Sequence, residues 1–360
     1  MGALYIGVMS GTSLDGIDIA LCEIDDASCK LIHSHEYPFP EDLQKEVLNL
    51  ISNPVTLGKV GTLHIKLGNL FAKSINTFVQ EKAINTNKIV AIGLHGQTLW
   101  HAPEVEFPFS MQLGCPNIVS TQTGIKVVSD FRSMDVANGG QGAPFAPAFH
   151  EFLFSHLKEK AAIINIGGMA NITLLGKNLR GWDTGVGNVL LDYWVKERKY
   201  FPYDQNGVFA KSGKIDKTLL ENFLSDPYFN LEPPKSTGRE YFNWEWLLKH
   251  TQEFQSIPQE NIQRTLLELT AQTITNTVKN TDINLLIICG GGAKNNFLME
   301  RLTELFSGRV QKSDSLNVSG DYMEAMAFAW FAYKRINNEE VNLCSVTGAK
   351  KNSILGGIYG

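Results

Sequence analysis

The residues with the clearest chemical potential stand near the start of the chain, in Gly7-Val8-Met9-Ser10-Gly11-Thr12-Ser13-Leu14-Asp15-Gly16-Ile17-Asp18. Three glycines, three hydroxyls and two carboxylates follow directly on the apolar run Ala3 to Val8. Glycines let backbone N–H groups approach an anion closely, Ser and Thr hydroxyls add donors, and a neighbouring carboxylate can hold Mg²⁺ directly or through water. The chemistry on offer is nucleotide phosphate binding by Gly11, Thr12, Ser13, Leu14, Asp15, Gly16, Ile17 and Asp18, with Asp15 as a metal ligand. An ordinary hairpin turn rich in Gly and Ser uses the same residue types.

The elements needed to position these groups are legible around them. Ile17, Ile19 and Leu21 alternate with Asp18, Ala20 and Cys22, so the segment reads as strand, tight turn and second strand. A strand at Lys30 to Tyr37, helical patterns at Glu41 to Ile51 and Leu63 to Phe78, and an apolar strand Ile89 to Leu94 complete a mixed α/β half. After Asn138-Gly139-Gly140-Gln141-Gly142-Ala143-Pro144 and a short helix Ala146 to Phe154, the same plan returns. Ala161 to Ile166, Gly167-Gly168 and Met169 to Thr173 again read as strand, glycine turn and strand, which makes Gly167, Gly168 and Asn171 a second phosphate-binding set. Later the buried run Leu285 to Cys289 feeds a helix Asn295 to Phe306 through Gly290-Gly291-Gly292. Gly290, Gly291, Gly292 and Asn295 are candidates for adenosine, against a helix-entry turn that only needs close packing.

No Gly-x-x-x-x-Gly-Lys-Ser/Thr occurs, which excludes the P-loop, and a first glycine turn leading into a strand excludes the Rossmann fingerprint. The layout is that of the actin, sugar kinase and heat-shock ATPase superfold. The expected fold is α/β, a two-domain actin-like or hexokinase-like ATPase, each half a mixed sheet with flanking helices and the active site in the interdomain cleft. The halves are expected at 1–150 and 151–360, with a tail able to return to the first half.

Composition agrees with an ordinary globular enzyme. The 360 residues are 43% hydrophobic and 19% charged, and the net charge of −5 argues against nucleic acid or anionic membrane as a partner. Five scattered cysteines form no C-x-x-C pair, so no zinc cluster is expected and a reducing cytoplasm fits. The amino terminus lacks secretory character, Ile6 stands where a myristoylation motif wants Ser or Thr, and no apolar run approaches the ~20 residues of a membrane span.

Eight segments in one order resemble the anhydro-N-acetylmuramic acid kinases over nearly the whole chain. They are Met9 to Gly16, His95-Gly96-Gln97-Thr98, Asp130-Phe131-Arg132, Gly139 to Pro144, Asn165 to Gly168, Asp183-Thr184-Gly185, Gly290 to Ala293 and Ser345-Val346-Thr347-Gly348-Ala349. The resemblance implies a cytoplasmic bacterial enzyme of cell-wall recycling. In that family 1,6-anhydro-N-acetylmuramic acid, ATP and water give N-acetylmuramic acid 6-phosphate and ADP, with Mg²⁺. The chain departs from the family pattern at Val186, where Pro is usual, and at Cys115, where an acidic residue is usual.

That chemistry needs water delivered to the anomeric carbon while the released C6 oxygen attacks the γ-phosphate. Asp183, on the Gly-bounded segment Gly181 to Gly185, is the base that the resemblance indicates, although its spacing also suits an Asx turn or a cap for a helix over Val189 to Trp194. His95, Gln97, Thr98 and Gly185 are expected at the substrate, His95 with a structural hydrogen bond as its alternative. Asp130 and Arg132 flank Phe131 in what reads as an extended segment after the strand Lys126 to Ser129. Arg132 could pair with the substrate's lactyl carboxylate or with Asp130. Glu324, on the first turn of a helix Tyr322 to Lys334, is a further substrate candidate, or serves the helix dipole. The basic loop Lys235-Ser236-Thr237-Gly238-Arg239-Glu240 either meets sugar or phosphates or is a solvated surface loop. A kinase of the same fold acting on a free hexosamine and a non-metabolic actin-like ATPase remain alternatives, and a homodimer stays open.

Overall fold

The computed structural model describes every residue except Met1, Ser13, Lys177, Asn178, Pro234 and Gln255. The chain divides into two compact units, 1–153 with 322–360, and 154–321. The second unit therefore closes at Asp321 rather than running to 360, and the last 39 residues fold with the first unit.

The strands in chain order are β1 (Ala3–Met9), β2 (Gly16–Ile24), β3 (Cys29–Pro38), β4 (Ile89–Leu94), β5 (Gln97–Ala102), β6 (Phe109–Leu113), β7 (Val127–Ser129), β8 (Ala161–Ile166), β9 (Met169–Leu174), β10 (Arg180–Val186), β11 (Leu285–Cys289), β12 (Arg309–Lys312) and β13 (Gly357–Tyr359). The first unit carries a six-stranded sheet ordered β13-β7-β4-β1-β2-β3, with β5 and β6 paired separately. The second carries a five-stranded sheet ordered β10-β9-β8-β11-β12. Both sheets follow one plan: an antiparallel meander of three strands whose first member also pairs in parallel with a later strand, β1 with β4 and β8 with β11.

Alternation along β1 decides what covers each face of the first sheet. Ile6 and Val8 join a core with Leu63, Leu67, Phe71, Ile75 and Phe78 of the helix Leu57–Glu81, an apolar stripe spaced by three and four residues. Gly7 faces the other way, beside Gly93 of β4. A Cβ at Gly7 would stand 1.7 Å from the Ala325 carbonyl oxygen, and one at Gly93 1.9 Å from that of Phe328. The paired glycines form a flat patch on which the helix Met323–Ile336 lies, itself lined with Ala325, Ala329 and Ala332. In the second unit β11, buried at every residue, fits a strand covered on both faces. The helix Gln259–Val278 contributes Ile262, Leu266, Leu269 and Ile274 to that unit's core.

Candidate active site

In the first unit the hairpin β1–β2 closes through a polar turn braced from below. The Ser10 hydroxyl donates to Gln97 Oε1 at 2.8 Å, and Gln97 Nε2 donates to the Gly11 carbonyl at 3.2 Å. Gln97 is 2% exposed, and its amide braces the turn together with Ser10. Leu14 N–H donates to Gly11 O, and Leu14 adopts φ 58, a left-handed conformation costing about 1–2 kcal/mol for a non-glycine residue. Its side chain is buried in the core, as is that of Ile17, so these two can meet a ligand only through their backbone. Gly11 is half-buried, while Thr12 and Asp15 are exposed on the turn. Asp18 pairs with Met9 across the hairpin, and a Cβ on Gly16 would press against the flexible end of Glu36 at 2.6 Å. Ser13, also expected here, lies outside the described residues.

A second cluster of the first unit gathers around Arg132. Its Nη2 lies 2.9 Å from His95 Nε2 and its Nη1 donates to the Gly142 carbonyl at 2.9 Å. Burial and the nearby guanidinium push His95 down to about 3, so the imidazole is neutral and accepts from Arg132. Burial also lowers Arg132 to about 10, against the opposing pull of Glu324, which places the Glu324 carboxylate within its field. The expected extended segment is absent: Arg132 opens the helix Arg132–Ala137, and Asp130 sits at φ 59 accepting from the Ser133 hydroxyl. Thr98 Oγ1 accepts weakly from Gln112 on the neighbouring strand. Asp135, which sequence reasoning passed over, is 2% exposed and accepts from Gly142 N–H at 2.7 Å and from the Thr347 hydroxyl at 2.8 Å. One buried carboxylate thus ties the glycine-rich segment to the 345–349 motif, holding by its N–H the same residue whose carbonyl Arg132 binds.

In the second unit Asp183 lies within β10 rather than on a loop, and caps no helix; the helix Val189–Lys199 begins after Asn188. The register places Asn165, Asn171 and Asp183 side by side across β8, β9 and β10. A bulge between Asp183 and Gly185 re-aims the strand at this point. Gly185, expected at the substrate, is buried, with φ 139 and the Phe229 ring 2.7 Å from where a Cβ would be; it serves the bulge. The Asp183 Oδ2 accepts from the Ser236 hydroxyl at 3.1 Å and from Thr237 N–H at 3.0 Å. Its backbone is clasped as well, N–H to Lys235 O and carbonyl to the Tyr228 hydroxyl at 2.8 Å. Burial raises the carboxyl above its usual range, while the Thr237 and Ser236 hydrogen bonds hold it down. The 235–240 loop is therefore built onto the carboxylate, and nothing in its charge pattern foretold that contact.

The second glycine turn is braced by the following helix. Gly167 O accepts from Asn188 N–H at 2.8 Å, and Gly168 O from Gly187 and Val189 N–H. Across a trans peptide the next N–H points opposite to the carbonyl, so Gly168 N–H faces away from the helix terminus. Further along, the three glycines after β11 divide in role. Gly290 (φ 76) packs against Asn165 and Gly292 against Ile166, where Cβ atoms would stand 2.3 Å from each side chain. Only Gly291 is exposed. Asn295 Oδ1 accepts from Leu298 N–H, so its carbonyl caps the helix Asn296–Leu305. Among the described residues no cluster of three or more His, Cys, Asp or Glu could cage a metal, and no helix is long and apolar enough to cross a membrane.

Comparison with known proteins adds to this geometry. The family described as Anhydro-N-acetylmuramic acid kinase matches residues 3–360. A relative of that name from Sulfurovum sp. (strain NBC37-1) is 54% identical over 358 residues, covering 99% of this chain and 98% of its own. Another of that name from Sulfurimonas denitrificans (strain ATCC 33889 / DSM 1251) is 53% identical over 367 residues, covering all of both chains. Among solved structures, component A of (R)-2-hydroxyglutaryl-CoA dehydratase from Acidaminococcus fermentans superposes with a TM-score of 0.51 at 13% identity, covering 93% of this chain and 100% of that one, a likeness of fold alone. On the full-length match, the chain belongs to the anhydro-N-acetylmuramic acid kinase family.

Proposed function

We propose that this protein is an ATP-dependent kinase that opens 1,6-anhydro-N-acetylmuramic acid with water and phosphorylates its C6 oxygen, giving N-acetylmuramic acid 6-phosphate and ADP in cell-wall recycling. The observation that carries the reading is the Asp183 carboxylate: half-buried, raised above its usual pKa range, and tethered through Oδ2 to Ser236 and Thr237. Tethering one oxygen holds the group in a single orientation and leaves Oδ1 to take a proton, and a raised pKa makes the carboxylate a stronger base. In the reaction Asp183 removes a proton from water as the water oxygen bonds to the anomeric carbon. The bond from that carbon to the C6 oxygen breaks, and the freed oxygen attacks the γ-phosphorus as ADP leaves.

Gly11 to Asp18 and the Gly167-Gly168 turn are assigned to nucleotide phosphate, Gly291 to adenosine, and His95, Arg132 and Glu324 to the sugar. The neutral His95, its Nε2 accepting from Arg132, carries its proton on Nδ1 and can donate from there, and Arg132 can fork a carboxylate. Mg²⁺ prefers a few carboxylates plus phosphate and water to a protein cage, which fits the exposed Asp15 on the hairpin turn. Bound there it would neutralise phosphate charge. A coupled ADP-release assay comparing 1,6-anhydro-N-acetylmuramic acid, N-acetylmuramic acid and N-acetylglucosamine tests the proposal. Turnover on the anhydrosugar is expected; turnover only on a free sugar would move the assignment to a hexosamine kinase of the same fold.

A further inference from the structure

The second glycine turn lacks the lysine that a P-loop supplies, yet it is not without a cation. A Cβ built on Gly168 would lie 3.6 Å from Arg239 Nε and 3.7 Å from Nη2, so the guanidinium stands directly beside this residue. Arg239 is exposed, and among the described residues it makes no ion pair within 4 Å. Its charge opposes the burial that raises the carboxyl of Asp192, in the first turn of the helix Val189–Lys199 that braces the same glycines. The same loop, two and three residues earlier, grips Asp183 through Ser236 and Thr237. Two residues of extended chain span at most about 7 Å, so the backbone carrying the guanidinium is anchored close to the base.

We propose that Arg239 is a phosphate-binding residue of this enzyme, its guanidinium taking the terminal, transferred phosphoryl group of ATP at the Gly167-Gly168 turn. The assignment rests on the kinase reading and adds to it the cation that the transferred group meets. Anchorage near Asp183 favours the terminal phosphate over the others, because the base delivers water to the anomeric carbon of the anhydro bridge and the transferred group meets the C6 oxygen that this same bridge releases. A planar guanidinium with its donors in a fixed fork matches a phosphoryl group, and its positive charge stabilises the equatorial oxygens as transfer proceeds. Exposure in the unliganded protein leaves it free to make those bonds.

The test uses Arg239→Gln and Arg239→Lys in the full chain, with melting temperature as a check on folding. Calorimetric titration with ADP, with a non-hydrolysable ATP analogue and with 1,6-anhydro-N-acetylmuramic acid is combined with turnover. For Arg239→Gln we expect affinity for the analogue to fall roughly 10- to 100-fold, the loss of a charge-assisted bond. ADP and sugar affinity should change less than about threefold, and Arg239→Lys should recover part of the loss. Unchanged analogue affinity, or a loss confined to the sugar, as would follow if the guanidinium held the sugar's carboxylate, would overturn the proposal. If the unmodified protein forms no ADP with any sugar, the kinase reading fails, while the nucleotide titrations still decide Arg239.

Discussion

Replacing Asp183 by Asn separates the carboxylate's proton chemistry from its structural tether. The amide keeps an oxygen that can accept from both the Ser236 hydroxyl and Thr237 N–H, so the loop should stay in place. Burial is the largest influence on this carboxyl and raises its pKa, which means the folded protein disfavours the charge. Removing the charge should therefore leave the melting temperature unchanged or slightly higher. What is lost is the ability to take a proton, and general-base catalysis is worth roughly 10²–10⁴ in rate, about 3–5 kcal/mol of barrier. We expect kcat in the coupled ADP-release assay to fall by at least ~10², with ATP affinity by calorimetry within about threefold of the unmodified protein. A stable Asp183→Asn variant with turnover within about threefold of normal would refute the assignment of this carboxylate as base.

The remaining predictions probe its supports. Ser236→Ala removes a hydrogen bond that holds the Asp183 pKa down, so that pKa rises further and the acid limb of kcat, where activity is lost as pH falls, should move to higher pH; an unmoved limb would detach this loop from the base. Asp135→Asn weakens the link between Gly142 N–H and the Thr347 hydroxyl, and should lower stability in urea by about 1–3 kcal/mol and raise the sugar KM more than the ATP KM. Because burial and the Arg132 guanidinium push His95 down to about 3, it should contribute no limb to the rate profile between pH 5 and 8, and replacing it should alter rate without adding or removing one. Gly7→Ala would drive a methyl into the Ala325 carbonyl and force the helix Met323–Ile336 off the sheet; we expect severe destabilisation on denaturation, and near-normal stability would contradict the packing.

Much of this protein was legible in one dimension because its signals are local. An apolar run placed β1, alternation placed β2, a continuous apolar run placed β11, the pattern from Leu63 to Phe78 marked the middle of the helix Leu57–Glu81, and two glycine turns after strands marked the repeated plan. The helix Gln259–Val278 was not legible, since it buries Gln263, Thr265, Glu268, Thr270 and Thr273 along with its leucines, and such a helix lacks the polar stripe that periodicity detects. Residue types and the family resemblance nominated Asp183, His95 and Arg132, but tertiary packing decided what each one meets. Gln97 turned to brace a hairpin 86 residues earlier in the chain, and Asp135 reached across 212 residues to Thr347. Ser236 and Thr237 came to Asp183 from more than 50 residues away. Hydrogen bonds of that separation depend on how the chain returns, which no window of sequence contains. The sequence by itself determined the fold class and nominated the phosphate turns and the base; only the tertiary structure decided which polar groups surround them, because that is a matter of distance in space.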